Sequence, residues 1–182
     1  MMTALMSTFE SVRIQDYTYL IFFVFWSDLQ NEFTRQLREQ GISFGAEIEE
    51  KGFVVLSHGK ASFDTAEQVR LKEWPEEIQE RLQKETVPFI LIMDKDFNEF
   101  KPKEHHWVII WFSDYVGDPD QVHKVLQQLL RKIKAGSNLF VDLQENRAKK
   151  WYRKWAKYVE VKPKVFGVSV NAKGILEEAL GL

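Results

Sequence analysis

The side chains best suited to acid–base or metal chemistry lie close together near residue 100. Asp94 and Asp96 follow a strongly apolar run, Glu99 comes shortly after them, and His105 and His106 are adjacent. Hard cations prefer carboxylate ligands, and an imidazole can serve as a ligand or a general base. Neighbouring strand residues point to opposite sides, so at most one of the two histidines could readily join a site. The segment therefore suggests a divalent-metal site in a metal-dependent nuclease or hydrolase.

A charged turn between two strands explains the same residues without any chemistry. Glu99 and Lys101 have the acid-x-lysine spacing of metal-dependent nucleases, yet they fall in a short loop rather than on paired strands. Aspartate and lysine are also common at the solvent-facing positions of loops. The composition of the segment therefore favours the charged turn over the metal site.

A second candidate is the run from Arg147 to Tyr158, in which six cations and four aromatic residues interleave without an acidic residue. On the helix predicted over about 139–158, cations gather on one face and rings on another. Such a helix could contact phosphates and stack its rings on unpaired bases. The residues predicted to bind nucleic acid are Lys149, Lys150, Trp151, Arg153, Lys154, Trp155 and Lys157.

Two other roles fit the same basic run. Its rings could pack against the rest of the protein while its lysines face solvent, since long cationic side chains often cover apolar surface. Alternatively, the run could dock onto an acidic protein surface, either of a partner or of another copy in a homo-oligomer. The sequence leaves the three roles open, with simple packing the commonest.

The charge of the chain is divided unevenly along its length. Residues 1–121 carry 22 acidic and 12 basic side chains, whereas residues 122–164 carry 3 acidic and 12 basic ones. The whole chain has a net charge of only −2. This division indicates either a binding surface for a polyanion or two complementary parts of one molecule.

Composition places the chain among ordinary globular proteins. Hydrophobic residues make up 45% of it, and the absence of cysteine excludes disulfides and thiol chemistry. The longest apolar run, Tyr17–Trp26, is about half the length that a membrane-spanning helix needs. We therefore expect a cytoplasmic protein that does not enter the membrane and carries no cofactor, apart from the alternative divalent metal.

The hydrophobic patterns predict an α+β fold with a ferredoxin-like βαββαβ core. Tyr17–Trp26 is the first strand, and a helix ending at Gly41 follows it. A hairpin of Ser43–Glu49 and Phe53–Ser57 comes next. A second helix broken or kinked at Pro75 then leads to the fourth strand. This order predicts an antiparallel sheet with two helices on one face.

The chain after this core is predicted to add a strand and a helical extension. Pro88–Met93 and Trp107–Phe112 read as apolar strands, and Asp118-Pro119-Asp120-Gln121 as a helix start. A further strand is expected at Val165–Val170. We predict a domain over residues 1–115 and a mostly helical extension over 116–182 that packs on it.

One stretch resembles part of the RNA-recognition-motif family. Lys51, Gly52 and Phe53 agree with the signature on that family's third strand, and a helix start follows at Asp64. The likeness covers about a third of such a domain. Val55 and His58 stand where that family presents stacking rings, so the resemblance does not imply RNA binding on the sheet face.

Nucleotide-binding, nucleophile-elbow and zinc-protease motifs are all absent from the sequence. This absence favours a binding or regulatory role over an enzyme. The sequence therefore predicts a non-catalytic nucleic-acid-binding accessory protein. A metal-dependent hydrolase and a protein-interaction module are the alternatives.

Overall fold

Among the residues that the structure describes, six short strands form one mixed sheet. The computed structural model describes residues 3–6, 17–25, 32–48, 51–57, 60–84, 88–112, 119–136, 138–140 and 159–161. The strands are β1 (Thr3–Met6), β2 (Tyr19–Val24), β3 (Gly52–Ser57), β4 (Phe89–Met93), β5 (Trp107–Trp111) and β6 (Val159–Val161). Their order across the sheet is β1-β3-β2-β4-β5-β6. β3 is parallel to β1 and β2, and the pairs β2–β4, β4–β5 and β5–β6 are antiparallel.

Helices cover both faces of this sheet. They are α1 (Glu32–Ile48), α2 (Lys60–Arg70), α3 (Glu76–Lys84) and α4 (Pro119–Lys134). Alternate residues of β2 belong to different cores: Ile21 and Phe23 face α1 and α4, whereas Leu20 and Phe22 face α2 and α3. A strand covered on both faces reads as a continuous apolar run, and β2, β4 and β5 are buried throughout.

Helix α1 extends well beyond Gly41, where the sequence predicted its end. A Cβ atom at Gly41 would lie 2.8 Å from Leu56 Cδ2 and 3.2 Å from Phe23 Cδ1. The glycine therefore serves close approach of the helix to the sheet rather than termination. The predicted strand at Ser43–Glu49 is wrong, because residues 43–48 are the last turns of α1.

The physical reason for this error is an ambiguous apolar pattern. Phe44 and Ile48 fit the alternation of a strand, but they also continue the buried helical face that begins with Leu37. The members of that face recur at three- and four-residue spacing. Residues 51–52 then lead directly into β3, so no hairpin forms here.

Pro75 separates α2 from α3, as the sequence predicted. The two helices are joined by side-chain contacts: Arg70 donates to Leu82 O at 3.0 Å through Nη2, and Gln79 donates to Arg70 O at 3.1 Å. The indole of Trp74, in the connection between them, donates to Val69 O at 2.7 Å. These contacts fix the two helices as one layer on their face of the sheet.

Helix α4 matches its prediction closely. Its apolar stripe is buried against α1 and the sheet, and it consists of Val122, Val125, Leu126, Leu129, Leu130 and Ile133. Gly136 follows the helix at a φ of 73°, the left-handed conformation that commonly ends helices. A new helical turn begins at Leu139, whose preceding residue Asn138 accepts a hydrogen bond from Phe140 N at 3.1 Å.

The α+β class predicted from the sequence is confirmed, whereas the ferredoxin-like order is not. A ferredoxin-like core splits its parallel strands with an antiparallel one, but here β2 and β3 pair directly in parallel. The helices also occupy both faces rather than one. Continuous apolar runs carry no information on which strands are neighbours, so the sequence could not distinguish these topologies.

Several predicted features lie outside the described residues. They include the division at residue 115, the strand at Val165–Val170 and nearly all of the helix over about 139–158. Strands β1 and β6 were not predicted. No helix among the described residues has the length and hydropathy needed to cross a bilayer.

Candidate functional site

Asp94 and His106 form a hydrogen-bonded pair just beyond the end of the β4–β5 ladder. Met93 pairs with Trp107 in that ladder, so the next residues outward face each other across the hairpin. Asp94 Oδ2 lies 2.8 Å from His106 Nδ1, and about 30% of each side chain is exposed (29% and 31%). The strand register thus places one carboxylate against one imidazole at the partly exposed end of the β4–β5 ladder.

The hydrogen bond determines which imidazole nitrogen remains available. An ionised carboxylate can only accept, so Nδ1 of His106 donates and Nε2 of the neutral ring keeps its lone pair. This is the orientation of a histidine that a carboxylate holds as a general base. Asp94 Oδ1 is buried without a hydrogen-bond partner in the described part of the chain.

His106 also links this end of the sheet to the helical turn that begins at Leu139. Its ring stacks on Phe140 with the centroids 5.6 Å apart, and Phe140 contacts the ring of Tyr19 at the same 5.6 Å separation. The Tyr19 hydroxyl accepts a buried hydrogen bond of 2.9 Å from Leu139 N. Sequence analysis did not identify Phe140 or Tyr19, because only the fold brings them to this edge.

His105, which the sequence placed in a metal site together with Asp94, has a different role. Its Nδ1 accepts a hydrogen bond of 3.0 Å from Lys101 N, which closes the turn before β5. Its ring lies 6.3 Å from that of Phe100, on the opposite side of the strand from His106. The expectation that only one histidine would face the carboxylate agrees with this arrangement, and that histidine is His106.

The predicted metal ligands do not converge. Glu99 is exposed, and Asp96 O accepts a hydrogen bond from Glu99 N at 3.0 Å within the turn. Across the described ranges, no three histidine, aspartate or glutamate side chains lie close enough to hold a metal ion. The arrangement therefore provides one carboxylate–histidine pair and not the four-ligand site of Asp94, Asp96, Glu99 and His105.

The predicted nucleic-acid-binding residues Lys149, Lys150, Trp151, Arg153, Lys154, Trp155 and Lys157 lie outside the described residues. The chain is nevertheless placed on either side of them. Before them, Leu139 and Phe140 are buried in the core beneath α1 and α4. After them, β6 pairs with β5, with Val159 opposite Ile110. The described chain thus stops at Phe140 before the basic run and resumes at Val159 directly after it.

Helix α4 presents a basic surface that the predicted site did not include. Lys124, Arg131 and Lys134 are exposed, and after Asp120 the helix has no acidic residue. Lys51 reinforces the end of the helix by donating to Lys134 O at 3.1 Å. Cations in the last turn favour the helix dipole, so part of this charge has a structural role. The excess of basic over acidic residues in 122–164 indicates this surface from the sequence.

The chain matches no family model, and no curated protein and no solved structure resembles it significantly.

Proposed function

We propose that this chain is a non-catalytic nucleic-acid-binding accessory protein of the cytoplasm. The observation that carries the proposal is the basic character of two parts of the chain, the exposed side of α4 and residues 147–158. Lys124 and Arg131 are exposed on that helix, and six further cations occur in the basic run. A surface of this kind attracts phosphates because binding releases condensed counterions.

The aromatic residues of the basic run support the same function. Trp151 and Trp155 provide rings for stacking on unpaired bases, which favours single-stranded nucleic acid over a duplex. Cations alone would bind any polyanion, so the expected preference for single-stranded nucleic acid comes from the rings.

The proposal is tested by fluorescence anisotropy with single-stranded RNA and DNA oligonucleotides over a range of salt concentrations. Replacing Lys149, Lys150 and Arg153 with glutamate should abolish measurable binding. Neutralising single contacts should lower the salt slope by about 0.7 each, as expected for single strands. Unchanged affinity in the triple variant would contradict the proposal.

Two further variants separate the parts of the surface. Lys124→Glu with Arg131→Glu should weaken binding if α4 belongs to the surface. Lys84→Glu with Lys101→Glu is the matched control, because it makes the same charge change at exposed positions on other elements. Trp151→Ala with Trp155→Ala should reduce affinity for single strands more than for duplexes.

A metal-dependent hydrolase is the second candidate, and the Asp94–His106 pair is the observation that favours it. The pair offers a carboxylate-oriented imidazole, and among the described residues no third histidine, aspartate or glutamate lies close enough to complete a metal site. Thermal unfolding with Mg²⁺, Mn²⁺ and Zn²⁺ tests this function, since a bound ion stabilises the folded state. A rise that is lost in Asp94→Asn but kept in His105→Gln would support it. An absence of any rise at millimolar metal would oppose it.

A further inference from the structure

The solvent side of α2 exposes two large apolar residues. Phe63 is 57% exposed and Leu71, in the turn that continues the helix, is 68% exposed. Leu71 N donates to Glu67 O at 3.0 Å, so these residues occupy one helical row. At 1.5 Å per residue, Phe63 and Leu71 lie about 12 Å apart along that row. An isolated exposed apolar residue needs no explanation, but two on one short helix indicate a contact surface.

Several cations of the layer formed by α2 and α3 contact other parts of the protein. Lys72 Nζ donates to Phe97 O at 2.7 Å and lies 4.6 Å from the centroid of the Phe97 ring, and burial lowers the pKa of this lysine. The Arg81 guanidinium lies 4.4 Å from the centroid of the Trp111 ring. Arg70 Nε and Nη2 both donate to Leu82 O. These cations hold the layer together and are only partly exposed.

Carboxylates dominate the outward side of this layer. The exposed acidic residues are Asp64, Glu73, Glu76, Glu77 and Glu80. Among the side chains of residues 60–84 that the structure describes, Lys84 is the exposed cation, and it forms an ion pair with Glu80 at 2.9 Å. We call this surface, defined by Phe63, Leu71 and the five exposed carboxylates, the acidic face. It lies on the side of the sheet opposite α1 and α4.

The basic run of residues 147–158 complements the acidic face in both charge and apolar character. It has six cations, no acidic residue and four aromatic side chains. The acidic face and the basic run thus each combine charge of one sign with large apolar side chains. Opposite charge together with apolar anchors favours specific docking.

We propose that the acidic face of one copy of this protein binds the basic run of a second copy. The inference rests on the proposed function insofar as nucleic acid and the acidic face would compete for the same cations. The contact is heterologous, since two different surfaces meet, and the pair as a whole leaves one surface of each kind unused. Association of this type continues into larger species unless a ring closes.

Light scattering after size-exclusion chromatography tests the proposal on the full chain without nucleic acid. The wild-type protein should exceed the mass of one chain at low salt, in a concentration-dependent manner, and return to one chain at high salt. Phe63→Ser with Leu71→Ser should weaken self-association by about tenfold, as loss of central apolar anchors does. Ile42→Ser is the matched control, because Ile42 is 41% exposed on α1 across the sheet.

Charge reversal provides a second, independent test. Glu76→Lys with Glu80→Lys should also weaken self-association about tenfold. Glu99→Lys with Glu104→Lys should leave it unchanged, and this control is matched because Glu104 pairs with Lys101 at 3.2 Å as Glu80 does with Lys84. Thermal unfolding of each variant verifies that it is folded. Equal effects of the two reversals would overturn the proposal.

Mixing two variants distinguishes docking between copies from any contact within one chain. Reversal of the acidic face and reversal of Lys149, Lys150 and Arg153 should each give a monomer. An equimolar mixture of the two should form a one-to-one heterodimer, because each partner retains the surface that the other lacks. Failure of the mixture to associate, or a wild-type protein that is monomeric at low salt, would overturn the proposal.

The outcome is separable from that of the proposed function. The Glu76→Lys, Glu80→Lys variant should retain its affinity for single-stranded nucleic acid, and added oligonucleotide should dissociate wild-type complexes. Self-association that oligonucleotide leaves unaltered would contradict a shared basic run. Loss of nucleic-acid binding with intact self-association would refute the proposed function alone.

Discussion

The chemistry available at single residues is concentrated in the Asp94–His106 pair. Its geometry follows from strand register, because Asp94 and His106 are the first residues beyond paired positions on β4 and β5. The sequence located the strand ends and the side chains, and it indicated that only one histidine would face the carboxylate. It could not identify His106 as that one, since the choice depends on the pairing register of β4 and β5. The sequence does not reveal that register, because both strands are buried throughout and show no polar–apolar alternation.

A double-mutant cycle measures what this pair contributes. Asp94→Asn and His106→Gln should each destabilise the protein, and their effects should be coupled by about 1 kcal/mol, typical of a partly exposed hydrogen bond to a charged group. Urea unfolding of the four proteins gives the coupling energy. Asp94→Asn with His105→Gln is the control and should be additive. Coupling of similar size in that control would mean that His105 rather than His106 faces the carboxylate.

At the scale of elements, the least predictable one is α1. The second half of the helix contains the buried Gly41, which suggested a helix end, and the segment Ser43–Glu49, which suggested a strand. Tertiary contact resolved the ambiguity, because Gly41 allows the helix to approach β2 and β3 closely. By contrast, α4 was predictable throughout, since its start, apolar stripe and glycine stop all indicate the same element. An element was therefore predictable from this sequence where several independent local signals agreed.

Substitution at Gly41 tests the close approach. Gly41→Val should destabilise the protein by about 1–3 kcal/mol, because the added atoms meet the buried side chains of Leu56 and Phe23. Ser43→Val introduces the same residue two positions on, at an exposed site of the same helix, and should change stability little. Denaturant unfolding measures both. Equal costs at the two positions would show that the loss comes from placing a β-branched residue in a helix, and not from contact with the sheet.

For the molecule as a whole, one sheet separates two hydrophobic cores. The strands contribute alternate residues to each core, so neither core can be dissolved without removing support from the other. The α+β class was predictable, because apolar runs indicate strands and apolar stripes at helical spacing indicate helices. The order of the strands was not, because pairing depends on long-range contacts that no local pattern encodes.

Truncation in each core tests this dependence. Leu129→Ala on α4 and Leu82→Ala on α3 remove buried side chains from opposite sides of the sheet. Each should cost about 2–5 kcal/mol, and each should shift one common transition. Circular dichroism and tryptophan fluorescence can follow the unfolding in parallel. Two separate transitions in either variant would contradict mutual support between the cores.

The described chain on either side of residues 141–158 has an evolutionary consequence. Leu139 donates a hydrogen bond to Tyr19 and Val159 pairs with β5, so the residues between them are an insert in the chain between two fixed points. The entropy cost of closing such an insert rises only slowly with its length. Its length and chemistry can therefore vary between descendants of this protein without redesign of the sheet. The sheet can therefore stay the same while the sequence between residues 140 and 159 diverges.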